Sequence, residues 1–293
     1  MPLISLPPYS FQIMKYIPER YKLFDRDRHK ITKEALSMIK EESRFKDSNI
    51  FEGMVSVRAV FESIDSGKSD RKIEKILFAE ENIKKNGKLL GFLKARSYQY
   101  GYVLETVPLA NIDELSTGSS HGGVLMFTTE RTYALLPQTP PEKGFFAVLD
   151  GIEDPYNFGY AVRSLYAAGV SGILLPERNW TSAAGVVCRA SAGASELIDT
   201  YSGELSEMIT HLKNCGYRFA VAEAEAPETV YDADLTYPLV LAVGGEKRGF
   251  SKSISELANI TVSLPYGREF PMALSAASAA TVLAFEAARQ NRN

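Results

Sequence analysis

The sequence predicts an α/β fold built on a parallel sheet, with a smaller α/β unit ahead of it. Three observations carry this. From Phe145 onward, short apolar runs of buried-strand type alternate with helical stretches: Phe145–Leu149, Gly172–Leu175, Tyr217–Ala222, Leu239–Val243 and Ile260–Leu264. Three glycine-punctuated segments each follow such a run, where open α/β sheets bind ligands. The stretch Pro137-Gln-Thr-Pro-Pro-Glu-Lys-Gly144 separates this region from what precedes it and reads as a linker. The expected division is therefore an arm and helix over 1–48, a small α/β unit over 49–136, the linker over 137–144 and the parallel-sheet unit over 145–293.

Taken in order, residues 1–18 are apolar and proline-spotted, an extended arm. Ile31, Ala35, Leu36 and Ile39 fall at helical spacing, with Thr32 as a possible N-cap. That helix reads either as a surface helix or as a direct RNA contact. From Asn49 a helix opens after Gly53 and runs to Ile64. Ile73–Ala79 and Gln99–Val107 read as strands around a helix over 86–96. Ile112–Leu115 is a short helix, and Gly122–Thr129 closes the unit as a strand. The last helix, Ala273 to Gln290, is dense in alanine, which permits close packing against another helix, including one across a dimer interface.

Composition sets bounds. The chain has 293 residues, 45% hydrophobic and 24% charged, the profile of a globular protein long enough for two domains. Cys188 and Cys215 are its two cysteines, too few for a disulfide framework or a cysteine-rich zinc site, and His29, His121 and His211 are scattered. No metal site is expected. No apolar run reaches the roughly 18 residues that span a bilayer, and the start lacks a basic signal-peptide region, so the sequence reads as cytoplasmic. The net charge of −3 hides an asymmetry: residues 1–149 carry 22 Lys+Arg against 19 Asp+Glu, and residues 150–293 carry 11 against 17. A nucleic-acid partner would find its handle in the N-terminal half; the alternative is two ordinary solvated surfaces.

The chemistry-bearing residues lie in the three segments. The first, Asp150-Gly-Ile-Glu-Asp-Pro-Tyr-Asn-Phe-Gly-Tyr-Ala-Val-Arg163, gives an acidic turn, then Asn157, Gly159 and Arg163. Asn157 reads as an N-cap or a site residue. Arg163 can hold a phosphate bidentately or sit against a reacting hydroxyl. The second, Gly244-Gly-Glu-Lys-Arg-Gly-Phe-Ser251, has G-x-x-x-x-G spacing, but Phe250 stands where a phosphate loop needs lysine. It remains a glycine loop that a planar ligand can approach closely, with Glu246 as its acid. The third, Leu264-Pro-Tyr-Gly, is a strand running into a turn. No G-x-S-x-G elbow occurs, neither cysteine has an obvious histidine partner, and His121 in Ser119-Ser-His-Gly-Gly suits a structural role.

In this order, the segments resemble the motifs of the SpoU/TrmH-type RNA ribose 2′-O-methyltransferases of the SPOUT superfamily. Asp150, Asp154, Pro155, Asn157, Gly159 and Arg163 match D-x-v-x-D-P-x-N-x-G-x-x-x-R; Gly244, Glu246, Gly249 and Ser251 match G-x-E-x-x-G-h-S. Arg189-Ala-Ser-Ala-Gly-Ala194 looks like the family's R-A-S-A-G-A stretch. Residues 53–127 are similar to the L30e-like RNA-binding domain that often precedes the catalytic one, closing on a variant of H-Q-G-V with Gly122 in place of glutamine.

The resemblance implies a SPOUT domain with a C-terminal trefoil knot, an S-adenosylmethionine cofactor, and a homodimer with active sites at the subunit interface. It places the cofactor against Ala222, Gly244, Gly245, Gly249, Leu264, Pro265 and Met272. Arg163, Asn157 and Glu246 would form the catalytic pole, with Arg163 orienting the reacting hydroxyl and stabilising charge. Ribosomal RNA is the expected substrate, transfer RNA the next. The third motif departs from the family's S-L-N-V-S: Pro271 and Ala273 stand where the serine and asparagine belong, leaving Arg268, Glu269 and Ser275 as nearby polar residues. That favours an alternative, a knot-fold RNA-binding protein that lost transfer. Another cofactor-binding α/β protein is the third reading.

Overall fold

The computed structural model describes residues 49–176, 183–245 and 250–292. The expected arm and helix over 1–48 lie outside them, as do Glu246 and Gly249. Both sheets belong to one compact unit, Ser48–Asn293.

The first sheet has four strands: β1 (Ile50–Glu52), β2 (Ile73–Ala79), β3 (Val103–Val107) and β4 (Val124–Thr128), in the order β1-β4-β2-β3. Only β2 and β3 run parallel. Helices α1 (Gly53–Asp65), α2 (Gly87–Tyr100) and α3 (Leu109–Leu115) connect them. Gly53 turns directly from β1 into α1 at φ +76°, a conformation that side chains other than glycine's rarely adopt. Phe51, Phe61, Phe78, Leu93 and Met126 fill the core. Gln99 and Tyr100, expected in a strand, end α2 instead. Gly101 caps that helix in the left-handed region and donates its N–H to the Ser97 carbonyl, so extended chain begins only at Val103.

The second sheet has seven strands, all parallel: β5 (Phe145–Asp150), β6 (Gly172–Leu175), β7 (Asp199–Ser202), β8 (Arg218–Ala222), β9 (Glu228–Thr229), β10 (Leu239–Gly244) and β11 (Ile260–Ser263), ordered β7-β6-β5-β10-β8-β11-β9. The helices are α4 (Pro155–Ala167), α5 (Ala184–Ala190), α6 (Ala194–Leu197), α7 (Leu205–Asn214), α8 (Lys252–Ser255) and α9 (Ala276–Gln290). Successive residues of β5 point to opposite faces. Phe145, Ala147 and Leu149 pack with α4 and α9, whereas Phe146 and Val148 pack with α7. Burial on both faces explains the near-continuous apolar runs.

The alanines of α9 serve this packing. Ala276, Ala280, Ala284 and Ala287 are buried within the chain, and the helix lies against α4, where the Thr281 hydroxyl donates to Ser164 Oγ at 2.7 Å. α9 starts at Ala276 rather than Ala273, because the Ser275 hydroxyl caps it by accepting from the Ser278 N–H. The proline-rich stretch is pinned to the second sheet: the Tyr217 hydroxyl donates to the Pro141 carbonyl, and His211 Nε2 lies 3.1 Å from the Pro137 carbonyl oxygen.

Candidate active site

The carboxyl ends of β8, β10 and β11 open into a cleft of about 790 Å³. The register sets its floor. Val262 of β11 is level with Ala222, the last residue of β8, and Gly244, the last of β10, is level with Asp150 of β5. Ala222, Gly244, Gly245, Leu264, Pro265 and Met272 all line this cleft. Six of the seven residues expected around a cofactor thus meet in one cavity, and Gly249 lies outside the described residues.

The chain after β11 forms the outer wall. Tyr266 folds back so that its hydroxyl accepts the Leu274 N–H at 3.0 Å, and its ring lies 6.4 Å from that of Phe270. Phe270, Pro271, Met272 and Ala273 face the cleft from this loop. Pro271 and Ala273 therefore occupy the wall itself and offer it no side-chain polar atom. Ser275 is engaged as the α9 cap. Of the polar residues on the rim, Glu223 was not anticipated; it immediately follows β8, and its N–H donates to the Val262 carbonyl at 3.0 Å. A carboxylate there can accept hydrogen bonds from hydroxyl or ammonium groups.

A second cavity of about 140 Å³ adjoins the first and shares Gly245 and Ala276 with it. It lies between the ends of β5 and β10, where the chain order of the sheet reverses direction. Gly151, Asp154 and Asn157 line it. The Asp154 carboxylate caps α4 by accepting the Asn157 N–H at 3.0 Å, and Pro155 occupies the first helical position. The Asn157 backbone thus serves the cap while its residue lines the pocket. The positive end of the α4 dipole also points here.

Gly245 joins the two segments. A Cβ at this position would lie 2.0 Å from the carbonyl oxygen of Gly151, so the loops after β5 and β10 cross backbone to backbone. Arg163 lies elsewhere. It is exposed on α4 and lines neither cavity; with Tyr156 and Tyr160 it forms a solvent-facing stripe at helical spacing. Glu246 lies outside the described residues. His121 is buried, with Nδ1 accepting the Gly123 N–H and Nε2 2.9 Å from the Asp113 carboxylate. Among the described residues no three His, Cys, Asp or Glu gather as a metal site, and no helix is long and apolar enough to cross a membrane.

Residues 144–285 match the sequence profile of the SpoU rRNA Methylase family. The TrmH family protein YacO of Bacillus subtilis (strain 168) is 30% identical over 81% of this chain and 95% of its own. The chain belongs to the SpoU family. A second relative of this SpoU chain is RlmB of Shewanella oneidensis, named a 23S rRNA (guanosine-2′-O-)-methyltransferase; it is 29% identical over 66% of this chain and 81% of its own. Among solved structures, the AdoMet-bound rRNA methyltransferase from Sinorhizobium meliloti superposes with a TM-score of 0.69 at 22% identity, covering 88% of this chain and 92% of that one. That likeness shows a shared fold. In this SpoU chain the first and second motifs therefore meet at Gly245, and the third walls the cleft.

Proposed function

We propose that this SpoU protein is an S-adenosylmethionine-dependent RNA methyltransferase acting on a ribose 2′-hydroxyl, with ribosomal RNA as the first candidate substrate and transfer RNA the second. One observation carries the reading: the six described residues expected around the cofactor converge on a single cleft, beside the pocket of Asn157. The cleft suits such a cofactor. Gly244 and Gly245 present backbone without side chains, Leu264 and Met272 supply apolar surface for a flat base, and Glu223 offers a carboxylate to hydroxyls or a cationic group. When bound, the cofactor supplies an electrophilic sulfonium methyl.

The remaining work falls to the chain. A ribose hydroxyl is a poor nucleophile, so it must be held in line and relieved of its proton. Orientation alone supplies on the order of 7–11 kcal/mol in well-aligned systems. Asn157, in the smaller cavity that adjoins the cleft, is assigned to orient the substrate, and Glu246 to the same catalytic pole. Arg163 is assigned to grip a substrate phosphate and stabilise charge, since a guanidinium with a pKa above roughly 12 is a poor base.

Arg163 is exposed on the α4 stripe and lines neither cavity, so its role in transfer is assigned across an interface. We therefore infer a homodimer through α4, which exposes Tyr156, Tyr160 and Arg163, and α9, which exposes Phe285. The knot belongs to the same proposal: β8 lies between β10 and β11, so the chain leaving β10 must pass β8 before it can form β11. The four-stranded unit is assigned to substrate RNA.

The test is nucleoside and fragment mass spectrometry of RNA from cells with and without the gene, complemented by wild type or Arg163→Ala. One 2′-O-methyl group is expected to vanish and return only with wild type, while Arg163→Ala keeps its cofactor affinity in calorimetry. Full activity of the variant would remove Arg163 from the mechanism. Pro271 and Ala273 in the wall support a second reading, an RNA-binding protein without transfer. Cofactor and RNA binding with no methyl group missing in the deletion strain would favour it.

A further inference from the structure

The R-A-S-A-G-A stretch takes no part in the cleft. We propose that the segment from Arg189 to Glu196 is a positioning element that locks the four-stranded unit onto α4, so that RNA gripped by that unit is held at one fixed offset from the cleft. The second half of this statement rests on the RNA methyltransferase reading.

The segment has two faces. Toward α4, α5 approaches so closely that a Cβ at Gly159 would lie 2.5 Å from Ala190 Cβ and 2.9 Å from the Val187 carbonyl oxygen. Gly159 of the first motif is thus the seat of α5 on the helix that carries Asn157. Toward the other side, Ala184 and Cys188 of α5 enter the core of the four-stranded unit beside Phe51, Val57 and Phe61. One short helix is part of both packings.

Polar contacts fix the geometry at both ends of the segment. Arg189 donates to Glu52 Oε2 and to Ser120 Oγ, each at 2.6 Å. The other oxygen of Glu52 accepts the N–H and hydroxyl of Thr117 at 2.5 and 2.7 Å, so this carboxylate ties β1, the 117–120 loop and Arg189 together. Gly118 makes room for the guanidinium: a Cβ there would lie 2.2 Å from Arg189 Nη1.

At the far end the buried Glu196 carboxylate receives Arg71 Nε at 3.1 Å and Nη2 at 3.2 Å. Arg71 also donates to Asn49 Oδ1 and the Thr129 carbonyl. Arg131 bridges the Ser195 and Lys68 carbonyls, and Lys68 pairs with Asp199 at 2.6 Å. Between these ends the chain turns through Ala192 and Gly193, with φ of +52° and +91°, and a Cβ at Gly193 would come within 2.7 Å of Ala59 Cβ on α1. An alanine held left-handed is strained and persists where the surroundings over-determine it.

One ion pair would leave a pivot. Two, at opposite ends of a strained turn, with bidentate geometry at Glu196, remove the rotation. The four-stranded unit is therefore coupled to α4 rather than tethered, and the segment selects RNAs by the distance between the gripped element and the target nucleotide.

The test uses the full chain with Arg189→Ala, Gly118→Ala and Arg189→Lys. Gly118→Ala keeps the Arg189 charge and evicts it from its seat, which separates positioning from net charge. The probe is ribosomal RNA from cells lacking the gene, with labelled S-adenosylmethionine. For Arg189→Ala and Gly118→Ala the expected result is a KM for RNA raised about tenfold, with kcat and cofactor affinity within twofold, and a KM for Arg189→Lys between these and wild type. Loss of kcat at unchanged KM, or no change at all, overturns the positioning role.

Hydrogen exchange decides the coupling separately. Arg189→Ala is expected to speed exchange in β1, in residues 117–122 and in the first turns of α4. Faster exchange confined to 117–122 overturns the coupling to α4. If wild type transfers no methyl to any RNA while the exchange pattern appears, the methyltransferase reading fails and the lock stands.

Discussion

Replacing Gly245 by alanine tests the crossing on which the site is built. The added Cβ would sit 2.0 Å from the Gly151 carbonyl oxygen and 2.5 Å from its carbon. Ordinary van der Waals contact begins near 3.4 Å, so the two loops must separate by about 1.4 Å. Both sides are backbone, and Gly151 sits at φ +73°, so neither can yield by rotating a side chain. Overpacking of this kind costs about 1–3 kcal/mol. At roughly 2–4 °C per kcal/mol for a unit of this size, Tm should fall by about 2–12 °C. Function should suffer more, since a misplacement of about 1 Å in a catalytic constellation costs on the order of a hundredfold.

The assay pairs calorimetric titration of S-adenosylmethionine with methyl transfer to RNA. Gly267→Ala serves as the control: it lies in the outer loop after β11, has nothing within 4 Å of its would-be Cβ, and should behave as wild type. A Gly245→Ala protein that melts with wild type and binds cofactor within twofold would refute the reasoning.

Two further outcomes follow from the ion pairs. Glu196→Ala strands the buried Arg71 guanidinium and should cost about 3–5 kcal/mol in urea unfolding, whereas the apolar pair Arg71→Met with Glu196→Leu should cost less than the single change; a single variant within 1 kcal/mol of wild type contradicts this. Hydrogen bonds from Arg218 and Thr236 hold the Asp234 carboxyl well below the usual range, and hydrogen bonds from Arg289 and Thr132 lower those of Glu286 and Asp70. A depressed folded pKa stabilises above the unfolded value of about 4, and that contribution is lost as pH falls through the folded pKa. Stability should thus hold from pH 7 to about 5 and decline below about 4. Asp234→Asn should flatten that limb, though solvent screens so exposed a pair; an identical limb in the variant would remove Asp234 as a contributor.

β5, β6, β8, β10 and β11 were legible because each is a largely apolar run, and the cleft residues because the motifs that carry them resemble those of a known family. β7 and β9 were not, since Asp199-Thr-Tyr-Ser and Glu228-Thr are polar edge strands defined by pairing rather than pattern. The Arg189 stretch was visible as a motif, but its role depends on Glu52 and Ser120, far away in the chain. Glu223 lacked any local signature. The Tyr266 hydroxyl could not be aimed without knowing that the outer loop folds back on it. The alanines of α9 signalled a close helix neighbour, which proved to be α4 of the same chain.

The strand order has a consequence for biosynthesis. Phe145 of β5 pairs with Leu239 of β10, and Ala222 waits for Val262 before its strand has both neighbours. The four-stranded sheet has all its strands by residue 128 and can form as it leaves the ribosome. The second sheet cannot, because such distant pairings incur loop closure before any contact rewards it. A nascent chain halted anywhere before β11 therefore has no cleft floor. On the function proposed above, such a chain could grip RNA through its first sheet but would lack the site assigned to the methyl donor, so the capacity to modify would arrive last in the life of each chain.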